Sequence, residues 1–264
     1  MECIKYDKKK EGLIMQIITV TNHKGGAGKT TTAAALAAGL SSLKGYKTLL
    51  IDLDAQGNLS YTAGASKGAS ALGVLTGEVK ITEAIQHTAS GDIIASSPAL
   101  SGAEAFIKDT GKEYRLKEAI EGLKGLYDYI IIDTPPALSI LTINALTACN
   151  KVIIPAQADI YSLQGVELLA NTIEPVKKYC NPNLEIAGIL LTRYSPRSIL
   201  SREIVQLAEQ LAAKLNTKVF KTTIREAIAV KEAQISKQTL YNYAPSAKVT
   251  ADYTAFINEF LERG

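Results

Sequence analysis

The sequence predicts an α/β fold, with a mostly parallel, twisted sheet covered by helices on both faces. Three observations support this class. Short apolar runs rich in β-branched residues, typical of buried strands, alternate with longer segments of helical periodicity. A glycine-rich loop joins the first run to the first helical segment, and two later runs each end in an aspartate. This alternation places parallel strands side by side through right-handed helical crossovers.

Length and composition indicate one domain. With 264 residues, 47% of them hydrophobic, the chain can bury a full core as a single domain. We expect residues 1–14 to form a disordered extension, or to precede a true start at Met15, and residues 15–264 to form the domain. Three cysteines without a C-x-x-C pair indicate reduced thiols and a cytoplasmic protein. A bilayer-spanning helix needs roughly 20 apolar residues, and no run approaches that length.

The first strand and helix enclose the most specific motif. Residues 17–20 are apolar and β-branched, and residues 32–43 are rich in the helix-forming Ala and Leu. Between them lies a loop that fits a phosphate-binding P-loop, Lys24-Gly25-Gly26-Ala27-Gly28-Lys29-Thr30-Thr31. Glycines allow backbone N–H groups and the helix N-terminus to face phosphate oxygens. In this arrangement Lys29 reaches the β- and γ-phosphates of a nucleotide, and the Thr30 hydroxyl binds Mg²⁺.

The second strand, residues 47–52, leads into a polar loop that contains Asp54. Ligands of open α/β sheets bind at the carboxyl ends of strands, so we expect Asp54 to lie near the phosphates. The following region is rich in Gly, Ser and Ala. It is predicted to contain short helical pieces at 72–75 and 83–87, a strand at 92–96 and a helix at 114–123.

Residues 127–133 are an apolar run that ends in Asp133, the Walker B pattern, in which the carboxylate holds Mg²⁺, usually through water. Three strand–helix units and a closing helix follow. They are predicted at 152–157 with 163–178, at 185–192 with 199–215, at 219–220 with 227–233, and at 247–261.

Together these motifs resemble the ParA/Soj partition ATPases, members of the deviant Walker A P-loop family that also contains MinD. The resemblance rests on the P-loop, on residues 50–58, 133–138, 141–146, 152–155 and 188–192, and on Tyr253. It covers nearly the whole chain after Met15. It implies a single-domain P-loop NTPase fold and an enzyme that hydrolyses ATP to ADP and phosphate with Mg²⁺. The implied nucleotide ligands are Gly25, Gly26, Ala27, Gly28, Lys29, Thr30 and Thr31.

The resemblance also implies roles for individual side chains. Lys29 is similar to the P-loop lysine, and Lys24 to the signature lysine that crosses a dimer interface to the partner's nucleotide. Two subunits are thereby expected to enclose two ATP molecules. Asp54 is similar to the switch aspartate associated with the attacking water and the Mg²⁺ shell. Lys24, Lys29 and Asp54 are the implied catalytic residues, and Thr30, Asp54 and Asp133 the implied metal ligands.

The function implied is DNA partition. An ATP-dependent homodimer would bind double-stranded DNA without sequence preference and associate with the nucleoid. It would hydrolyse ATP slowly and be stimulated by a ParB-like centromere-binding protein. Residues 193–231 hold eight Lys or Arg against three acidic residues, which favours DNA binding by a dimer. Arg197 matches a DNA-contacting position of the family. Arg225 and Lys231 are further candidates, although the segment Ile224–Ala229 lacks the proline and two arginines usual in the family.

Two alternatives remain open at this stage. One is an ATP-switched scaffold that positions a protein cargo without a DNA role, and the other is a MinD-like positioning ATPase. Membrane binding is not expected, because residues 254–264 carry more acidic than basic side chains and so do not form a basic amphipathic helix.

Overall fold

A seven-stranded sheet organises the described part of the protein. The computed structural model describes residues 14–195 and 199–263. Within them lie β1 (Gln16–Val20), β2 (Thr48–Asp52), β3 (Ile85–Thr88), β4 (Gly91–Ile94), β5 (Tyr129–Asp133), β6 (Lys151–Gln157) and β7 (Glu185–Thr192). The strand order is β3-β4-β2-β5-β1-β6-β7, and every neighbouring pair is parallel except β3 with β4. The predicted mostly parallel sheet is confirmed.

Helices cover both faces of this sheet. They are α1 (Lys29–Lys44), α2 (Asn58–Ala63), α3 (Ala71–Thr76), α4 (Ala103–Phe106), α5 (Arg115–Ile120), α6 (Ile140–Ala148), α7 (Ile160–Tyr179), α8 (Ile199–Lys214), α9 (Ile228–Ile235), α10 (Leu240–Tyr243) and α11 (Lys248–Glu262). Successive strand residues point to opposite faces. Leu50 therefore packs with α1, α2 and α9–α11, whereas Leu49 and Ile51 pack with α3–α6. Beside the second group, α7 and α8 pack on β6 and β7.

The central strands bring the predicted acidic residues together. In the parallel register of β2 with β5, Asp52 pairs with Asp133, and in that of β1 with β5, Val20 pairs with Asp133. The P-loop follows β1 directly, and α1 begins at Lys29. The three strands therefore end at one edge of the sheet, where the P-loop lies.

Several predicted elements need correction. The helical piece predicted at 83–87 is wrong, because a 3₁₀ turn ends at Glu83 and β3 begins at Ile85, pairing antiparallel with β4. In place of the strand predicted at 219–220 there are single bridges, Val219 to Ile189 and Ile224 to Thr192. The extension predicted for residues 1–14 lies outside the described residues except for the exposed Ile14.

The closing helix belongs to the core. Tyr253, Phe256, Ile257 and Phe260 of α11 are all buried in the cluster that contains α1. The apolar face of α11 is thus engaged within the domain. Across the described parts of the chain, no helix combines the length and apolar character needed to cross a bilayer.

We expect Gly39→Ala in α1 to destabilise the protein, although alanine favours a helix over glycine by about 1 kcal/mol. A Cβ atom there would lie 2.3 Å from Ile257 Cδ1 and 2.6 Å from Tyr241 Oη, and overpacking of this kind costs about 1–3 kcal/mol. Urea unfolding measures the change. The control is Ser41→Ala on the exposed side of α1, which should leave stability equal or slightly higher. A more stable Gly39→Ala variant would contradict the close packing of α1 on α10 and α11.

Candidate functional site

Two glycines set the shape of the P-loop. Gly26 has φ 77° and Gly28 has φ 90°, the left-handed region that favours glycine. Gly28 precedes the first residue of α1, and no side chain caps that helix. Two strand ends hold the loop carbonyls: Gln157 Nε2 donates to Gly26 O at 2.5 Å, and Thr192 Oγ1 donates to Ala27 O at 2.9 Å. The N–H groups at the start of α1 are thus suited to bind an anion.

Lys29 brings a buried ammonium group to this loop. It is 7% exposed, and its Nζ donates to Lys24 O at 3.2 Å. Burial lowers the pKa of Lys29, while the carboxylates of Asp133 and Asp54 oppose that change. A phosphate group beside Lys29 would supply the charge that burial removes. The phosphate-binding role of Lys29 stays a prediction, and the buried position of its ammonium group is compatible with it.

Three aspartates lie at the ends of β2 and β5. Asp133 Oδ2 accepts a 2.7 Å hydrogen bond from Thr30 Oγ1, whereas its buried Oδ1 has no hydrogen-bond partner. Burial, and next the charge of Asp52, raise the pKa of Asp133 well above its ordinary value. Burial likewise raises the pKa of Asp52 to about 6. Burial therefore makes both carboxyl groups harder to ionise than an exposed aspartate.

These groups fit a magnesium ion. Mg²⁺ prefers oxygen ligands, keeps several waters, and is commonly held by one or two carboxylates together with substrate phosphates. The Thr30 hydroxyl and the unpartnered Oδ1 of Asp133 supply such oxygens, and Asp54 lies close enough to influence both Asp133 and Lys29. In the described ranges, no group of three or more His, Cys, Asp or Glu residues is arranged to hold a metal ion. This chemistry suits a metal bound jointly with phosphate.

An open cavity of about 220 Å³ extends from the P-loop. Its lining includes Gly25, Gly26, Gly28, Lys29, Thr30, Thr31, Asp54, Gln56, Asn58, Pro136 and Arg193. A second cavity of about 130 Å³ shares Gly28, Thr31 and Arg193 with the first. It continues between Thr192 and the segment Ile224–Ala227. Sequence reasoning did not identify Arg193 as a site residue, and its φ of 49° is rare outside glycine.

Lys24 lies apart from the phosphate cavity. Its Nζ is 2.6 Å from Asp159 Oδ1 and 5.5 Å from the centre of the Tyr161 ring. Asp159 also caps α7 by accepting the N–H of Ser162 at 2.9 Å. Burial opposes the ionisation of Asp159, but the hydrogen bonds from Lys24 and Ser162 outweigh it and lower its pKa. Sequence reasoning missed Asp159, although an aspartate directly before a helix is a recognisable N-cap.

Two of the three candidate DNA-binding residues, Arg225 and Lys231, line the same cavity. The guanidinium group of Arg225 donates two hydrogen bonds to Asp252, at 2.6 and 2.8 Å, and Arg225 lines the second cavity together with Lys231. Both therefore lie on the nucleotide side of the molecule. Arg197 lies outside the described residues.

Comparisons with known proteins agree with this geometry. A family model described as an AAA domain matches residues 15–186. The sporulation initiation inhibitor protein Soj of Bacillus subtilis is 37% identical, covering 94% of this chain and 99% of that protein. The chromosome partitioning protein ParA of Caulobacter vibrioides is 35% identical, covering 94% and 95%. A structure of cobyrinic acid a,c-diamide synthase from Mycobacterium smegmatis, with a bound ATP analog and magnesium, has a TM-score of 0.81 at 32% identity, covering 94% and 95%.

The buried carboxylates generate a stability prediction. We expect Asp133→Asn to raise the free energy of unfolding of the ligand-free protein at pH 7.5, by on the order of 1 kcal/mol. A carboxyl group whose pKa is raised in the folded state makes the folded protein less stable as the pH rises above the unfolded pKa of that group. The stability gained by Asp133→Asn should therefore be smaller at pH 5 than at pH 7.5. Urea unfolding in EDTA at both pH values measures this.

The same variant should bind nucleotide with little dependence on Mg²⁺. The control is Glu78→Gln, since Glu78 is an exposed acid in the turn that follows α3. Lower stability of Asp133→Asn at both pH values would contradict this prediction, because it would show that the folded protein stabilises the carboxylate of Asp133.

Proposed function

The chain belongs to the ParA/Soj family of partition ATPases, and on that premise we propose that it is the ATP-driven component of a DNA-partition system. It is a P-loop ATPase that uses ATP with Mg²⁺. The observation that carries the proposal is the division of labour between two lysines. Lys29 lies buried inside the phosphate cavity, whereas Lys24 is held outside it on Asp159. One lysine is placed to bind the nucleotide of its own subunit, and the other is available to a second subunit.

ATP would occupy the two joined cavities. Its phosphates would lie against the backbone N–H groups of the P-loop and the ammonium group of Lys29. Its ribose and adenine would lie between Thr192 and the segment Ile224–Ala227. Arg193 lies where the two cavities meet. This placement supports Gly25, Gly26, Ala27, Gly28, Thr30 and Thr31 as the other P-loop ligands.

Thr30, Asp133 and Asp54 would hold the magnesium ion, which neutralises charge on the phosphates when bound. Asp54 is 9% exposed and faces the phosphate cavity, so it can orient a water for attack on the terminal phosphorus. Lys29 supports the charge that develops on the phosphate oxygens. Positioned charges of this kind contribute most of the catalysis in phosphoryl transfer.

A second copy of the chain would complete the site. Around Lys24 and the phosphate cavity, three apolar side chains are exposed: Leu138 at 52%, Ile160 at 46% and Tyr161 at 69%. Burial of these side chains between two subunits would favour association. Lys24 would then leave Asp159 and approach the partner's nucleotide, where it acts as an arginine finger does. ATP holds the dimer together, and hydrolysis releases it.

The proposed dimer binds double-stranded DNA without sequence preference and is stimulated by a ParB-like centromere-binding protein at the nucleoid. Support comes from the family and from the excess of Lys and Arg in residues 193–231. Arg197 is the principal candidate contact. Arg225 is a weaker candidate than the sequence suggested, because its guanidinium group is paired with Asp252.

The alternative is an ATP-switched scaffold or MinD-like positioning ATPase that moves a protein cargo without binding DNA. The pairing of Arg225 with Asp252 favours it, because the pair reduces the free basic charge in the described segment. A membrane role gains no support from α11, whose apolar residues are buried against α1.

Substitution of each lysine separates the two roles. Lys29→Ala should impair binding of both ADP and ATP, because the buried ammonium contacts the phosphates of its own subunit. Lys24→Ala should leave ADP affinity within about twofold but abolish ATP-dependent dimers and turnover. Titration of fluorescent nucleotides and light scattering measure these effects. Lys44→Ala, at the far end of α1, is the matched control. Equal loss of ADP binding in both variants would make Lys24 an ordinary ligand of its own subunit.

DNA binding separates the partition motor from the scaffold. Asp54→Ala should accumulate a long-lived ATP dimer, because its removal affects hydrolysis more than ground-state binding. With ~6 phosphates neutralised, the affinity of this dimer for unrelated duplexes should fall with salt at a log–log slope of roughly −5. Fluorescence anisotropy at several salt concentrations measures the slope.

In the same assay, Arg197→Glu should weaken binding and reduce the slope while leaving the dimer intact. Lys151→Glu, a lysine at the opposite end of β6 from the nucleotide site, is the control for a general loss of positive charge. If the Asp54→Ala dimer shows no salt-sensitive affinity for any duplex, the scaffold replaces the partition motor.

A further inference from the structure

Hydrogen bonds hold Asp54 at its N–H, its carboxylate and its carbonyl. Its N–H donates to Asp52 Oδ1 at 3.1 Å, and its carboxylate accepts the N–H of Gln56 at 3.0 Å. Its carbonyl accepts two bonds, from Gly57 N–H at 2.8 Å and from Ser96 Oγ at 2.5 Å. The first three partners lie within three residues of Asp54. Ser96 lies in the segment that follows β4, 42 residues further along the chain.

A second serine ties this contact to the sheet. The N–H of Ser96 donates to Ser60 Oγ at 2.8 Å. Ser60 donates twice to Asp52 Oδ2, from its N–H at 2.8 Å and from its hydroxyl at 2.7 Å. Asp52 is fully buried, and both serines are half-buried. Hydrogen bonds through Ser96, Ser60 and Asp52 therefore connect the carbonyl of Asp54 to its own N–H.

The sheet register delivers Ser96 to this position. β4 pairs in parallel with β2, with Ile94 opposite Ile51. Ser96 lies two residues beyond the end of β4, and Asp54 two residues beyond the end of β2. Both residues thus emerge at the same edge of the sheet. In this position the hydroxyl of Ser96 donates a hydrogen bond to the carbonyl of Asp54.

The hydroxyl of Ser96 is not required to satisfy a buried polar group. Without it, the carbonyl of Asp54 would still accept the N–H of Gly57. Its contribution is therefore geometric, since it fixes the plane of the peptide that follows Asp54. A carboxylate that orients a water must be held within a fraction of an ångström of its productive position.

We propose that Ser96 is a positioning residue for ATP hydrolysis, which acts by holding the peptide of Asp54 through its hydroxyl group. This inference rests on the role of Asp54 in the proposed function. Ser60 supports the same arrangement. However, its removal would leave the N–H of Ser96 without its partner, so Ser96 gives the cleaner test.

The experiment compares Ser96→Ala, Ser96→Thr and Ser101→Ala. Ser101 follows β4 as well, but its hydroxyl donates at 2.8 Å to Pro98 O on the surface. We expect Ser96→Ala to lower kcat about tenfold, the scale of a small misplacement, while ATP and ADP affinities change less than about twofold. Ser96→Thr keeps the hydroxyl and should restore kcat. Ser101→Ala should match the parent in kcat, affinity and Tm.

A double variant tests whether Ser96 acts through Asp54. In the Asp54→Ala background, Ser96→Ala should not lengthen the lifetime of the ATP dimer further, because the residue being positioned is gone. The inference is overturned if Ser96→Ala turns over like the parent, if Ser96→Thr fails to restore kcat, or if nucleotide affinity falls together with kcat. Normal turnover by Asp54→Ala would instead remove the proposed role of Asp54 itself. Inactive Asp54→Ala with fully active Ser96→Ala would remove the role of Ser96 alone.

Discussion

The site depends on the parallel register of β2 with β5, which places the carboxylates of Asp52 and Asp133 side by side in the core. Two buried carboxylates on neighbouring strands are costly unless positive charge neutralises them. Lys29 supplies part of that charge, but burial lowers its own pKa. The buried Oδ1 of Asp133 still has no hydrogen-bond partner. The ligand-free domain is thus electrostatically incomplete in a way that a magnesium nucleotide complements, so affinity for that ligand is built into the fold itself.

Sequence predicted the parts of this site that local chemistry specifies. The P-loop needs glycine at Gly26 and Gly28, because both adopt positive φ, and such residues are visible in a sequence. Asp133 was found because it ends an apolar run, and the carboxyl ends of parallel strands converge on one edge. The cavity residue Arg193 and the cap Asp159 were missed, because their roles arise from contacts between segments distant in sequence. Lys24 and Asp159 are 135 residues apart.

The errors in the fold have the same origin. α6 was not identified as a helix because eight of its nine residues are buried, so that it shows no polar face and no helical period. Residues 83–87 contain polar and apolar residues in an order compatible with either state. Residues 85–87 form a strand because they pair with β4, which begins at Gly91 with φ 120°. α1 was identified from its content of the helix-forming Ala and Leu, whereas α7 and α11 carry both buried and exposed residues over several turns.

The contact between Lys24 and Asp159 bears on why such an ATPase is expected to be slow by itself. An ion pair that is about 30% exposed contributes at most about 1 kcal/mol, so it can be exchanged for a stronger partner. Asp159 also caps α7, and it can therefore keep a stabilising role after Lys24 has left. Release of Lys24 costs little, and a second nucleotide site of high negative charge would more than offset that cost. In the proposed mechanism, the timing of hydrolysis is then set by the assembly of two subunits, because each chain holds its own phosphates with Lys29 but offers Lys24 only to its partner.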